Sequence, residues 1–240
     1  MKNSIALVSI LAAVCSVSSC IDDGVTCLRA SDRNITQERT ISGFNQVIFT
    51  GTGNVVITQG SDFAFRATGP DNVLDALTTD VFSQQLIIGF NGCFNGDYDL
   101  NIDITMPEVV ELNMVGGVGS IKSSDTLFCS DLLVKFSGFG SMDLNVVAEN
   151  IETQASGIGQ LRYSGSCKSH RVASSTEVEI RAFDLQVQDY DITILRSANH
   201  YVAVENTLKA LITGTGNVYY RGDPTVERSG GGSGQVIKAD

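Results

Sequence analysis

Basic residues are scarce in this sequence. Lysine and arginine together number 16, against 27 aspartate and glutamate residues, so the formal net charge is −11 at pH 7. A chain of this sign repels the phosphate backbone of nucleic acids and the anionic headgroups of membrane lipids. We therefore expect neither a nucleic-acid partner nor an electrostatic attachment to a lipid surface.

Side chains that commonly carry out catalysis or bind metal ions are also sparse. Tryptophan is absent, aromatic residues make up 7% of the chain, and the two histidines are His170 and His200. These histidines occupy different positions of the repeat described below, which argues against a two-histidine metal site. The sequence pattern brings no set of acid, base and nucleophile together. The sequence predicts a protein without a metal centre, a cofactor or enzymatic activity.

The apolar stretch at residues 5–17 is too short to span a bilayer and has the layout of an export signal. It leads into Val17-Ser18-Ser19-Cys20. Small residues before a cysteine resemble a bacterial lipobox, in which the cysteine becomes the acylated first residue of the mature protein. We expect residues 1–19 to be a lipoprotein signal peptide and Cys20 to carry the lipid. An ordinary secretory signal is the alternative.

Glycine, in contrast, is abundant, with 24 residues, and much of it recurs in one short phrase. The phrase is a hydroxyl residue, Gly, any residue, Gly and then an alternating apolar pair. Two copies around Ser174 and Ala198 keep the apolar pair but lose the glycines. The other copies lie at 50–57, 116–121, 137–144, 156–163, 213–220 and 231–236.

This repeat predicts a parallel β-solenoid. From position 117 onward the first glycines or their substitutes are 16–24 residues apart, which suits coils that each add one layer. Glycine suits the corner between two strands because it permits positive φ and close approach of backbones. A calcium-binding nonapeptide roll begins similarly, but it needs a period of nine and an aspartate where this chain has Ile121 and Met142. That alternative is excluded.

The chain is expected to fold as one all-β domain behind a tether. Residues 20–38 are polar and lack periodicity, as a linker does. Residues 39–240 alternate between apolar and polar, with turn signals at glycine and proline. Within them, 39–107 would form an N-terminal β cap over the first end of the solenoid, and 108–240 the regular coils. A helical turn or two is expected only at 73–77.

Aligning the coils places one residue between the inward-facing apolar pair of each coil, and that residue should face solvent. In four successive coils these residues are Lys122, Asp143, Arg162 and Glu179. Charges of opposite sign on adjacent strands attract each other. We expect a stabilising charge ladder there rather than a catalytic cleft.

Two groups of exposed side chains remain as candidate ligand-binding residues. Asp97, Asp99 and Asp103 share one face of a strand and offer oxygen atoms to a calcium ion, although such a stripe is more often the solvated face of the strand. Tyr201 and Tyr219 are the outward aromatic residues of the regular coils. Two rings make only a small platform for a sugar.

Of the six cysteines, four follow the predicted lipid-bearing residue: Cys27, Cys93, Cys129 and Cys167. They can pair in three ways in an oxidising compartment. We expect at least one disulfide among them, and free thiols are the alternative.

The first strands resemble a known family. Residues 39–47, Arg-Thr-Ile-Ser-Gly-Phe-Asn-Gln-Val, and residues 51–60, Gly-Thr-Gly-Asn-Val-Val-Ile-Thr-Gln-Gly, are similar to the start of the putative auto-transporter adhesin, head GIN domain family. Residues 84–88, the strand ending at Pro107 and the glycine coils agree with it, so the resemblance covers roughly 39–226. It implies a right-handed β-solenoid and an adhesin-like role, and it supplies no catalytic residues.

The predicted function is that of a non-catalytic lipoprotein of the bacterial cell envelope, anchored in a membrane through its lipid and facing the periplasm or the surface. Its solenoid would bind a glycan, another envelope protein or a host surface, as an adhesin or surface-binding module. The alternative is a β-helix enzyme that acts on an envelope or environmental polysaccharide. Such an enzyme needs a cleft rich in aromatic and paired acidic side chains.

Overall fold

A computed structural model describes residues 27–240 of the chain, and Cys20 lies outside the described residues. The described part consists of β-strands and one short helix. No helix in these residues is long and apolar enough to cross a membrane. The elements are β1 (Leu28–Arg29), β2 (Asn34–Glu38), β3 (Gln46–Phe49), β4 (Thr52–Gln59), β5 (Ala64–Pro70), α1 (Asp71–Ala76), β6 (Leu77–Phe82), β7 (Gln85–Phe90), β8 (Phe94–Asn95), β9 (Asn101–Met106), β10 (Glu111–Met114), β11 (Val118–Ser123), β12 (Leu127–Phe136), β13 (Phe139–Ala155), β14 (Ile158–Ser174), β15 (Glu177–Ile194), β16 (His200–Ile212), β17 (Val218–Arg221), β18 (Thr225–Ser229) and β19 (Val236–Lys238).

Parallel pairing between successive coils builds a β-solenoid of about seven turns, as predicted. Val118 pairs with Phe139, Phe139 with Ile158, and Ile158 with Glu177. Each coil therefore lies one layer beyond the coil before it. The glycine corner divides each coil into a pre-corner side, such as 133–136, and a post-corner side, such as 139–143, with apolar side chains of both sides enclosed between them.

The first coils are not stacked in chain order. The coil of β3 and β4 pairs along one edge with β10 and β11, and along the other edge with β7 and β9. Gly51 and Gly53 thereby join the glycine column, directly beneath Gly117 and Gly119. Regular stacking thus starts inside the segment 39–107, which the sequence assigned to the cap as a whole.

Antiparallel strands cover the outer edge of the first layer. β5 pairs antiparallel with β9, β2 pairs antiparallel with β5, and β6 pairs antiparallel with β7. Helix α1, which buries Val73 and Leu74, connects β5 to β6. These strands pair with backbone N–H and C=O groups that the edge of the parallel stack would otherwise expose. Antiparallel strands thus cover this end of the stack, and α1 overlaps the stretch 73–77 for which the sequence allows a helical turn.

The tether predicted for residues 20–38 is too long. Leu28–Arg29 pair with β8, and Asn34–Glu38 pair with β5. A disulfide joins Cys27 to Cys93 across a sequence separation of 66. Disulfides that close loops of this size typically stabilise a fold by about 2–4 kcal/mol. Strand β2 alternates between exposed and half-buried positions, and its polar sequence carries no apolar period. Residues 27–38 therefore belong to the folded domain.

The other two cysteines of residues 27–240, Cys129 and Cys167, are free thiols. Cys129 pairs in register with Ala148, and Ala148 pairs with Cys167, so the two thiols lie two layers apart in one column. Two layers span about 9–10 Å, which exceeds the Cα separation of about 7 Å that a disulfide can bridge. Burial raises the pKa of Cys129 to about 11 and that of Cys167 to about 12, so both stay protonated.

The charge ladder predicted on the post-corner side has a different membership. Arg162 pairs with Arg181, whereas Glu179 pairs with Gln160. The alignment of this coil was two residues out, because Val178 and not the residue at 176 stands in register with the second glycine of the preceding corner, Gly159. The alternation therefore stops at Arg162.

An alternating ladder does exist, but on the pre-corner side. It consists of exposed residues from five consecutive layers, namely Glu152, Arg171, Asp191, Lys209 and Glu227. In two neighbouring pairs, Arg171–Asp191 and Lys209–Glu227, a side-chain nitrogen lies 3.9 Å from a carboxylate oxygen. The charges of this ladder neutralise one another along the solenoid axis, so the ladder has a structural role.

The glycine corner of the last coil is closed by an arginine. Arg228 donates hydrogen bonds to the carbonyl oxygens of Gly230, Gly232 and Gly234, the shortest being 2.6 Å to Gly232. In an earlier layer, the carbonyl oxygen of Gly117 accepts a bond of 2.7 Å from the backbone of the next coil. The guanidinium group thus takes the place of a further coil at this corner.

Candidate functional site

Strand β15 interrupts the otherwise even post-corner side. The pairing of β14 with β15 shifts between Arg162 and Ser164, and the pairing of β15 with β16 shifts between Ala182 and Gln186. In both cases β15 has the longer segment, with one extra residue against β14 and with residues 183–185 unpaired against β16, where they form a bulge. Bulges redirect side chains and are common beside functional sites.

The bulge opens a groove of about 670 Å³ on the outside of the solenoid, which we term the bulge groove. This volume lies in the range of small-molecule and oligomer binding sites. A second depression of about 420 Å³ lies on the far side of Phe183 and is bordered by Arg221. The principal lining residues of the bulge groove are Asp143, Arg162, Arg181, Phe183, Asp184 and Tyr201.

Contacts between aromatic rings and guanidinium groups fix the wall of the groove. The rings of Phe183 and Tyr201 meet edge to face with centroids 5.6 Å apart, and Tyr201 stacks on Tyr219 at 5.1 Å. The guanidinium carbon of Arg221 lies 4.2 Å from the centroid of Phe183, and that of Arg181 lies 6.0 Å from the centroid of Tyr201. Such contacts orient both partners. The wall is therefore preorganised.

The charges that line the groove balance. Two carboxylates, Asp143 and Asp184, face two guanidinium groups, Arg162 and Arg181. Arg181 also donates a hydrogen bond to Glu179, and this bond raises the pKa of Arg181. Within residues 27–240, no carboxylate oxygen lies within 4.0 Å of the Arg162 guanidinium nitrogens. The N–H groups of Arg162 remain available to a ligand.

Exposed apolar side chains lie along the edge of the post-corner side that is opposite the bulge groove. Val118, Phe139 and Ile158 occupy the middle position of Gly-x-Gly in three successive layers, and they are 53%, 52% and 54% exposed. We term this line the apolar ridge. Contiguous exposed apolar groups often mark an interaction surface.

The predicted acidic stripe is divided between two places. Asp97, Asp99 and Asp103 are all exposed, but Asp103 lies opposite Arg66 of β5. Asp97 and Asp99 instead border a separate depression of about 560 Å³ together with Asp32. In the part of the chain that the structure describes, no three side chains of histidine, cysteine, aspartate or glutamate are grouped to hold a metal ion.

The structure brings Tyr201 and Tyr219 together in adjacent layers and adds Phe183 and Arg221 to them. The repeat alignment missed these two residues because Phe183 lies in the bulge, outside the repeat, and Arg221 reaches it from two layers away. The corner spacing gave no signal of the bulge. In the register of the structure, Val178 and Ala198 lie 20 residues apart, against 21 between Gly119 and Gly140.

Both histidines lie inside the solenoid. The ring of His170 packs between Tyr163 and Tyr190 with centroids 5.1 and 4.9 Å away, and its Nε2 lies 2.9 Å from Thr153 Oγ1. Neither ring nitrogen of His200 has a hydrogen-bond partner among the described residues. The pKa of each is lowered to about 3, by burial for both and, for His170, also by the charge of His200. Both are neutral, enclosed and inaccessible to an external ligand.

The sequence pattern of the putative auto-transporter adhesin, head GIN domain family matches residues 43–224. The chain belongs to this family. The matched residues include the apolar ridge and the bulge groove, so both features lie on the head GIN domain itself. Membership in an adhesin family indicates an exported, surface or envelope protein with a binding role.

Solved structures share the fold of this head GIN domain. A putative adhesin from Bacteroides fragilis superposes with a TM-score of 0.84 at 21% identity, covering 88% of this chain and 100% of that chain. A putative adhesin from Parabacteroides distasonis gives 0.70 at 19% identity, covering 89% and 100%. A putative lipid binding protein from the same species gives 0.66 at 24% identity, covering 90% and 100%. No curated protein matches the chain.

Proposed function

We propose that this head GIN domain is a non-catalytic, lipid-anchored binding module of the bacterial cell envelope. The observation that carries the proposal is the asymmetry of the solenoid. The post-corner side is bordered by the apolar ridge on one edge and by the bulge groove on the other, whereas the pre-corner side carries a self-neutralising charge ladder. The post-corner side is the binding face, and an anchor at Cys20 holds it at a membrane.

The carboxylates of the groove do not have the spacing of a retaining glycosidase. Asp143 belongs to β13 and Asp184 to β15, with β14 between them, so their backbones lie about 9–10 Å apart along the axis. Retaining glycosidases place their two carboxyl groups about 5–5.5 Å apart and inverting ones about 6.5–9.5 Å apart, so this separation argues against a retaining enzyme alone. Arg162 of β14 stands between the two aspartates. The polysaccharide enzyme remains the alternative to be tested.

The anchor can be tested by acylation. A lipobox cysteine receives a diacylglyceryl group, and each buried CH₂ contributes about 0.8 kcal/mol, so two chains hold a protein stably where one does so marginally. We expect the full chain to incorporate a labelled fatty acid and to fractionate with membranes. Cys20→Ala should lose the label and leave the protein either uncleaved or soluble.

Cys27→Ala is the matched control for the anchor. It removes a cysteine only seven positions later, and with it the disulfide, but it should retain the fatty-acid label. If the native protein takes up no label, the chain is secreted without a lipid.

The binding role can be tested with vesicles that carry the full-length protein. We expect them to adhere to surfaces coated with envelope material or polysaccharides, and to release no reducing or unsaturated sugar ends. The double substitution Phe139→Ser and Ile158→Ser removes two exposed apolar groups from the ridge, so adhesion should fall at least fivefold. The readouts are the bound vesicle fraction and the chemical assay for sugar ends.

Phe128→Ser is the control for the ridge, because Phe128 is also exposed, at 65%, but lies in β12 away from the post-corner side. It should leave adhesion within twofold of the native protein. Reproducible turnover of a polysaccharide would instead establish the enzyme, and adhesion unaffected by the ridge substitutions would remove the ridge from the binding face.

A further inference from the structure

We propose that the bulge groove binds a neutral, hydroxyl-rich glycan chain. The inference rests on the proposed function and deepens it, because it names the chemical class of ligand for one part of the binding face. Three properties of the groove carry it: its balanced charge, its planar polar groups beside aromatic rings, and its extension past Phe183.

Charge balance selects a neutral ligand. The two aspartates and two arginines of the groove cancel formally, and the chain as a whole carries a net charge of −11. A polyanion entering this groove meets the carboxylates of Asp143 and Asp184 and the negative field of the entire protein. A polycation is attracted by that field but meets the positive charge of Arg162, which has no carboxylate within 4.0 Å among the described residues. A neutral ligand meets neither cost.

The groups in the groove match the two faces of a sugar ring. Carboxylates accept two hydrogen bonds side by side, and guanidinium groups donate two in the same manner, so each can hold a pair of neighbouring hydroxyls. Asp143, Asp184 and Arg162 offer such forks from different layers. Phe183 and Tyr201 add apolar ring surface for the C–H face of a sugar. Hydroxyls and apolar C–H groups alternate in this way on a pyranose.

The wall requires little reorganisation on binding. Phe183 is held by Arg221 at 4.2 Å and by the edge-to-face contact with Tyr201 at 5.6 Å, and Arg181 is held by Glu179. Because the side-chain entropy of these groups is already lost in the free protein, less of it opposes binding. Preorganisation matters for a neutral ligand, since long-range attraction contributes nothing to its affinity.

The dimensions favour a chain of sugars over a single one. The groove of about 670 Å³ and the depression of about 420 Å³ share Phe183 as a common wall. Asp143 and Tyr201, which both line the groove, lie three layers apart, about 14 Å along the axis. A monosaccharide cannot contact both ends, whereas an oligosaccharide can, so affinity should rise with chain length.

The test is calorimetric titration of the purified full-length protein. The probes are neutral polysaccharides (a β-glucan, a galactan, a mannan and a xylan), graded neutral oligosaccharides, and two charged polymers, polygalacturonate and chitosan. We expect at least one neutral glycan to bind. Its affinity should increase at least tenfold from monosaccharide to hexasaccharide and should change less than twofold between 50 and 500 mM salt, because no net charge is neutralised.

Matched substitutions locate the site. Phe183→Ala and Arg162→Gln should each weaken neutral-glycan binding at least fivefold. The controls, Phe128→Ala and Arg66→Gln, remove an exposed ring and an exposed guanidinium outside the groove and should change affinity less than twofold. Arg162 is exposed and absent from the core, so Arg162→Gln leaves the fold intact even if Phe183→Ala lowers its melting temperature.

Each other outcome has a distinct meaning. Salt-sensitive binding of polygalacturonate or chitosan above every neutral glycan would overturn the neutral class while leaving the binding module standing. Adhesion to protein surfaces without affinity for any saccharide would overturn the glycan and not the module. Glycan binding that survives both groove substitutions would place the site elsewhere. Absence of adhesion to any surface would contradict the proposed function itself.

Discussion

Replacing Gly119 by alanine is expected to lower the free energy of unfolding by about 3 kcal/mol or more. A Cβ at this position would lie 1.8 Å from the carbonyl oxygen of Gly53 in the layer beneath, and the backbone φ of Gly119 is +148°. Both layers would have to separate, and alanine would also adopt a backbone conformation that side chains disfavour. Overpacking typically costs about 1–3 kcal/mol and backbone strain about 1–3 kcal/mol.

Gly116→Ala in the same corner separates the two causes. Its φ is +62°, but a Cβ at this position would have no atom within 4 Å. It should therefore lose only the strain contribution, about 1 kcal/mol. Chemical denaturation of both variants measures the difference. Equal losses for Gly119→Ala and Gly116→Ala would mean that the close approach of the layers contributes nothing.

Lowering the pH from 7 to 5 is expected to destabilise the protein by about 4 kcal/mol through its two buried histidines. The pKa of His170 and of His200 is about 3 in the folded protein, against an ordinary value of 6.5. Below pH 6.5 the unfolded chain binds protons that the folded protein does not, so stability is lost as pH falls from about 6.5 towards 3 and is constant above. One pH unit in that window corresponds to about 1.4 kcal/mol per histidine.

His200→Leu should remove about half of this pH dependence. It should also stabilise the protein at pH 7 by about 1 kcal/mol, because neither ring nitrogen of His200 has a hydrogen-bond partner among the described residues and its neighbours in register are Ile180 and Val218. The double variant with His170→Phe should show a flat profile between pH 7 and 5, where ordinary carboxyl groups titrate little.

Urea denaturation at half-unit pH steps measures this profile. His170→Phe also removes the contact of Nε2 with Thr153, so its stability at pH 7 is not expected to rise. A native profile that is flat from pH 7 to 5, or a His200→Leu profile parallel to the native one, would show that the histidines are not buried as neutral groups.

Local chemistry explains why so much of the fold could be predicted. A glycine corner with an alternating apolar pair specifies one layer by itself, and each layer only repeats the contacts of its neighbour. The solenoid, the covered first end and the position of α1 follow from such short patterns. The export signal and the lipid on Cys20 also rest on a contiguous stretch, and they stay predictions.

Features that depend on long-range pairing could not be predicted. Strand β2 has a polar sequence without an apolar period, and only its pairing with β5 shows that it belongs to the domain. The pairing of Cys27 with Cys93 was one of three possibilities until β1 and β8 were seen side by side. The stacking of β3 and β4 between later strands leaves no trace in the sequence, because parallel layers accept one another in any order.

The candidate site shows the same division. The sequence by itself determined that Tyr201 and Tyr219 face outward, since alternation along a strand depends on neighbouring residues alone. It could not distinguish Glu179 from Arg181 as the partner of Arg162, because a slip of two residues preserves which side chains face inward and which face outward. Only the hydrogen-bond register between layers decides such a slip. That register, with the bulge it contains, placed Phe183 beside Tyr201 and created the groove.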